Sequence, residues 1–312
     1  MTDSHTGQNI SDVLKIICNE WEIFNKVDFA TTDNTSNMKT AILKYCRWKY
    51  ILCFAHSLNL IVKSSLNNDA INLLLENVRK IVNYFKKSTT AAEKLKTCQL
   101  NSDRNVQKLI HDVPSRWNST YNMIDRFIVL EEPIKATAAI INKNIPQNTN
   151  AEWEILHELT VILKPIESAT KIISGQQYPT VSIIIPLTSG LRNICQKLEQ
   201  KDFSICTQQI IHHIEIGILE RFTEIGTNII IQICTFLDPH FKNAFFSQEK
   251  LDITKTEIIN ILIDNRNINT TENIINIEID IQPDTDIDTD ELSIWAALKD
   301  KVKENTPKVM AP

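Results

Sequence analysis

Apolar side chains at Ile10, Val13, Leu14, Ile17, Cys18 and Trp21 recur at helical spacing. They predict an amphipathic helix over 10–24, with Asn9 or Ser11 as its cap. The segment VDFATTD (27–33) is β-rich and ends on a polar turn, so it reads as a strand that presents Asp33 at its C-terminal end. SNMKTAILKYC (36–46) predicts a short helix and WKYILCF (48–54) a second strand. From Ser57 to Lys87 the apolar positions Leu58, Leu60, Ile61, Leu66, Ile71, Leu74, Leu75, Val78, Ile81, Val82 and Phe85 predict one long helix, or two with a break near Asn67–Asn68. Helix, strand, helix, strand, helix is α/β organisation, with the two strands expected to run parallel. Two strands make a poor independent sheet. The expectation is that further strands come from elsewhere, or that the first strands of the fold are missing.

The rest is mostly helical by pattern, with candidates at 90–98, 104–111, 118–142, 150–173, 182–200 and 205–236. Pro165 and Pro186 are expected to kink or interrupt two of them. Glu131–Glu132 beside Pro133 reads as a helix boundary, not as paired acid/base carboxylates. After Phe246 the composition changes, and residues 253–291 are a mixture of Ile, Asn, Thr and Asp that ends in the acidic run QPDTDIDTDE. Residues 263–292 read as disordered, and 291–302 as one amphipathic helix. The fold class expected is mostly α with a partial α/β layer. It divides into an α/β part at 1–87, a helical part at 88–250, and an acidic, low-complexity, largely disordered tail at 251–312.

Composition narrows the chemistry. The chain has 312 residues, 43% hydrophobic, with only 5 Gly. That excludes a wholly disordered chain and argues against a Gly-rich phosphate-binding enzyme. No run of about 18 uncharged apolar residues exists, so no membrane helix is expected. The polar opening MTDSHTGQNISD predicts no signal peptide, and an intracellular protein is expected. The 7 Cys include no Cys-x-x-Cys pair and read as reduced thiols. Charge is uneven: residues 1–130 carry +5 and residues 131–312 carry −10. The front half tolerates a polyanion and the back half resists one.

Five blocks, in order, carry a resemblance. They are TTDNTSNM (31–38), CFAHSLNLIV (53–62), VPSRWNSTYNMIDRF (113–127), LKPIESATKIISGQQYPTVSIIIPL (163–187) and CTFLDPHFKNAFF (234–246). Together they resemble the hAT-superfamily transposases and their domesticated relatives, the BED zinc-finger proteins. The resemblance implies a ribonuclease-H-like core, here truncated at both ends, followed by a large helical insertion domain. It also implies two Mg²⁺ ions held by two aspartates and a glutamate, the carboxylate set that two-metal chemistry needs. Asp33 matches the second of these acids. The first aspartate, the glutamate and the BED finger have no counterpart in the sequence, and His240 stands where the family has Arg. The expectation is no nuclease or transposase activity. Asp33 is then a vestigial ligand, and no cofactor is expected, Mg²⁺ being bound only if another segment supplies the missing carboxylates.

For several residues two readings stand side by side. Asp33 also suits a strand-ending turn. Cys53 and His56 match a Cys-x-x-His element of the family, but two ligands do not make a zinc site, so His56 reads as packing or DNA-proximal. Trp117 corresponds to a family tryptophan implicated in stacking on a flipped base, with Arg116 on phosphate beside it. The alternative is a core indole and a surface arginine at a helix start. Lys39 and Arg47 head a group with Lys44, Lys49, Lys63, Lys80, Lys86 and Lys87 that either faces DNA or is simply solvated. Asp238, Pro239 and Lys242 read as structural. The remaining histidines (His5, His111, His157, His212, His213, His240) form no ligand pattern in the sequence.

The function expected is that of a nuclear, catalytically incomplete, transposase-derived protein with residual affinity for DNA or for related transposase-derived chains. Two alternatives stand beside it. One is a piece of an active transposase whose first Asp and final Glu lie outside this sequence, and the other is a helical protein-interaction scaffold. An uncovered sheet edge and apolar face also predict poor solubility, or association with a partner that completes the sheet.

Overall fold

The computed structural model describes residues 4–102, 105–113, 116–141, 146–175, 180–266, 292–294, 296 and 298–299. Among these the chain is mostly helical with one two-stranded sheet. It forms two compact units, 1–60 and 61–312, whose boundary falls inside one helix.

In the first unit, helix α1 (Gly7–Glu20) starts at Thr6, whose hydroxyl accepts the Asn9 N–H at 3.2 Å. It begins and ends earlier than the periodicity predicts. Strand β1 (Phe29–Thr32) leads through helix α2 (Ser36–Lys39) and a π-helical stretch (Thr40–Cys46) into β2 (Lys49–Leu52). The strands pair in parallel, with Phe29 opposite Lys49 and Thr32 opposite Leu52. Parallel pairing needs a crossover, and the α2–π segment supplies it. The π stretch closes at Arg47, whose backbone is left-handed at φ 61°.

A small core forms beneath this crossover from Cys18, Ile42, Cys46 and Trp48, with Leu14, Phe24, Val27, Ala30 and Tyr50 around it. Gly7 lets α1 sit directly on the crossover: a Cβ there would lie 2.9 Å from Thr40 Cβ and 3.0 Å from the Asn37 carbonyl oxygen. Trp21, 74% exposed, lies outside this core with Ile16, Ile17 and Leu43.

The unit boundary falls within α3 (Phe54–Ser65), which is followed by α4 (Asp69–Lys87). The predicted break near Asn67–Asn68 is present because the Asn68 side chain caps α4, accepting the Ala70 N–H at 2.9 Å. Then come α5 (Thr89–Asn101), α6 (Trp117–Val129), α7 (Glu131–Ile141), α8 (Asn150–Ile173), α9 (Ile184–Glu199), α10 (Ile205–Phe222), α11 (Ile229–Leu237) and α12 (Gln248–Arg266). α6 packs on α8, α5 on α7, and α9 on α8, α10 and α11. The Phe127 and Trp153 rings stack at 4.7 Å between centroids, 9° from parallel.

Several expectations need correction. Residues 105–111 are not helical. Gln99 bonds the backbone of Gln107 instead: its Oε1 accepts the Gln107 N–H at 2.8 Å and its Nε2 donates to the Gln107 carbonyl at 3.2 Å. The predicted helix at 118–142 is two, separated at Leu130, with Glu131 and Glu132 in the first turn of α7. The predicted helix at 205–236 is also two, because Asn228 caps α11. Pro165 interrupts nothing and lies inside an unbroken α8. Pro186 occupies the first turn of α9, where an N–H has no intrahelical partner to lose. Residues 251–262, set with the acidic tail by composition, belong to α12, and the span 263–292 begins helical, through Arg266. Residues 267–291 and 300–312 lie outside the described residues.

Candidate nucleic-acid interface

In the first unit, Asp33 follows β1 directly and is exposed. Its Oδ1 accepts the Thr35 hydroxyl at 2.8 Å and the Thr35 N–H at 3.4 Å. Its backbone carbonyl accepts the Tyr50 phenol at 3.0 Å and the Thr32 hydroxyl at 2.9 Å. Burial pushes the Tyr50 phenol up, so it remains a donor at neutral pH. Asp33 is thus built into the turn that ends β1 and starts α2. Among the described residues it joins no group of three or more metal-ligand side chains. The described residues therefore do not fit a two-metal centre, and no step of metal chemistry follows from them. Cys53 and His56, both half-buried at the start of α3, join no such group either.

The cations of this unit are better placed for a polyanion. Between Asn34 and Leu60 the chain carries Lys39, Lys44, Arg47 and Lys49 and no Asp or Glu. Lys39 Nζ lies 5.5 Å from the Tyr50 ring centroid and Lys44 Nζ 5.3 Å from that of Tyr45, so each ammonium rests on an aromatic face. Arg47 is exposed at the end of the crossover. Among the described residues only Lys49 of the four pairs with a carboxylate, reaching Asp28 Oδ1 at 3.3 Å across solvent. Such an exposed pair contributes little.

In the second unit, Arg116 is exposed and extended (φ −127°, ψ 111°) as the residue before α6. Trp117, the first residue of α6, is 3% exposed. The indole is buried in this conformation. The entry to α6 is tied down locally, since Ser119 Oγ accepts the Val113 N–H at 2.7 Å and donates to the Arg116 carbonyl at 2.6 Å.

Behind that entry lies a pairing that sequence pattern does not disclose. The Asp112 carboxylate is fully buried. Arg79 donates to it through Nε at 3.1 and 3.0 Å and through Nη2 at 2.7 Å, and Thr120 adds a contact at 3.3 Å. Burial pushes the Asp112 carboxyl up, but the hydrogen bonds and charge of Arg79, with Thr120 and His111, outweigh it and hold the group below its usual range. Arg79 and Asp112 are far apart in sequence and share no motif, so only the folded chain pairs them.

The Leu-Asp-Pro block forms a turn after α11. Asp238 follows α11, and its Oδ1 accepts the His240 N–H at 3.0 Å. Lys242 takes a left-handed backbone at φ 45°. Among the histidines, His212 lies with Glu199 and Glu215 in a group whose three ligand atoms are all within 4.8 Å of one another. His212-x-x-Glu215 on one helix was the available signal; Glu199 comes from another helix.

Residues 51–162 match the ZBED1 RNase-like helical domain. The chain is 27% identical to human zinc finger BED domain-containing protein 4 over 82% of its own length and 22% of that protein's. It is 26% identical to a maize protein named "Putative AC transposase", over 76% of this chain and 31% of that one. It is also 26% identical to human zinc finger BED domain-containing protein 6, over 70% of this chain and 23% of that one. The chain thus spans between a fifth and a third of the length of these relatives. The chain is thus similar to AC transposases and to zinc finger BED domain-containing proteins, and its residues 51–162 match the model of the ZBED1 RNase-like helical domain.

Proposed function

We propose that this chain binds DNA through its phosphate backbone without cutting it, as a nuclear, catalytically incomplete relative of the transposases. The observation that carries the reading is the run from Asn34 to Leu60, which holds four cations and no acid, with Lys39, Lys44 and Arg47 outside any carboxylate pair among the described residues. Phosphate contacts position a protein on a duplex without reading its sequence. Arg116, exposed at the start of α6, is proposed as a further phosphate contact. His56, half-buried, is assigned to packing beside the DNA-facing residues. A part at 1–87, a helical part at 88–250 and a tail from 251 remain the proposed functional division. Among the described residues, no helix is long and apolar enough to cross a membrane.

The test is binding of the purified chain to duplex DNA across a salt series. Each phosphate contact should contribute about −0.9 to the slope of log K against log salt. Replacing Lys39, Lys44 and Arg47 together by Ala should weaken binding and flatten that slope. Binding that ignores salt and the triple substitution would overturn the reading and favour the helical scaffold. Trp117→Ala separates stacking from packing. As a packed indole, its loss should lower Tm and leave the salt slope intact.

A second reading is favoured by the short share of each relative that the chain covers: a piece of an active transposase, completed by carboxylates from other segments. Strand cleavage in Mg²⁺ by a longer chain containing this one, lost in Asp33→Asn, would establish it.

A further inference from the structure

We propose that Glu199, His212 and Glu215 form a binding site for a divalent transition-metal ion, Zn²⁺ foremost, that ties the end of α9 to α10. Glu199 is the last residue of α9, and His212 and Glu215 lie three apart on α10, so both project from one face of that helix. One nitrogen and two carboxylate oxygens therefore converge from two packed helices, all within 4.8 Å of one another.

Ligand atoms bound at about 2.0–2.2 Å around a tetrahedral ion are roughly 3.4 Å apart. Closing to that spacing takes about an ångström of rotamer adjustment. Glu199 and His212 are exposed and Glu215 is half-buried, so the side chains are free to make it. The donor set chooses the ion. Mg²⁺ and Ca²⁺ favour oxygen throughout, whereas imidazole with carboxylates suits zinc and its first-row neighbours. Three protein ligands leave the fourth position to water.

One further observation marks the place as short of positive charge. Among the described residues neither carboxylate is in an ion pair with a lysine or arginine. A dication would offset the two carboxylates that meet here. Cys195, one turn before Glu199 on α9 and 5% exposed, is not counted as a ligand.

The test is calorimetric titration of the full chain with Zn²⁺ alone under reducing conditions, with Tm followed in parallel. One saturable site per chain and a rise in Tm are expected. His212→Ala should abolish both, and His213→Ala, which changes the neighbouring imidazole outside the group, should keep both. Glu199→Gln should remove zinc binding while leaving the metal-free Tm equal or higher, because it relieves the carboxylate contact. Loss of binding there is then not loss of fold. The absence of a saturable site, or a site that survives His212→Ala, or equal loss in His213→Ala, would overturn the assignment.

Discussion

The two units solve the same burial problem with different success. The second sets helix against helix, and Phe127, Leu156 and Leu159 are wholly buried. The first has two strands and a crossover, and builds a small core cluster from Cys18, Ile42, Cys46 and Trp48. It leaves Trp21, Ile16, Ile17 and Leu43 exposed. The difference teaches that a helix can find its apolar partner in the next helix along the chain. A sheet needs strands from distant positions, and two strands cannot cover both edges and both faces.

The comparison breaks most sharply at Phe127. Phe127→Ala removes a fully buried ring stacked on Trp153 and should destabilise the second unit by about 3–5 kcal/mol, read as a lower denaturant midpoint. A loss below about 1 kcal/mol would mean that this unit is no better packed than the first.

An intermediate effect is expected from acid. The Asp112 carboxyl is held below its unfolded value, so in the acid range the unfolded chain binds more protons than the folded one. Its contribution is complete above the unfolded carboxylate range and is lost as pH falls through the folded value. Tm should therefore drop below about pH 4, and Asp112→Asn should flatten that drop while lowering Tm at pH 7. An unchanged acid limb in Asp112→Asn would remove the Arg79–Asp112 pair from the account.

The smallest effect on stability belongs to the first unit's surface. Trp21→Ser exchanges a side chain that is 74% exposed and should change stability by no more than about 0.5 kcal/mol. If the apolar surface of α1 drives association, the same change should raise the concentration at which the chain self-associates in sedimentation. A large loss of stability would show instead that Trp21 is part of a core.

How much was legible follows from the range of the forces involved. The limits of α8 are readable because Thr149 and Glu152 form a capping box three residues apart. The break between α3 and α4 is readable because Asn68 is itself the cap. The parallel strand pair follows from a helix-length crossover. Residues 105–111 are not helical, and their backbone groups find partners outside their own window: Gln107 on the Gln99 amide and the Lys108 carbonyl on Arg126. At the candidate interface, the exposure of Arg116 and the burial of Trp117 next to it were two readings that pattern left open.

By itself the sequence determined what depends on neighbours a few residues away: the span and capping box of α8, the Asn68 break, the β–crossover–β order, the acid-free run from Asn34 to Leu60, and the five blocks of resemblance. The tertiary structure alone decided which distant groups meet. It put Arg79 on Asp112, buried the Trp117 indole, and drew Glu199 to His212 and Glu215. The physical reason is that periodicity and capping are written within a turn or two of the chain, whereas the partner of a buried charge is chosen only when separate helices pack.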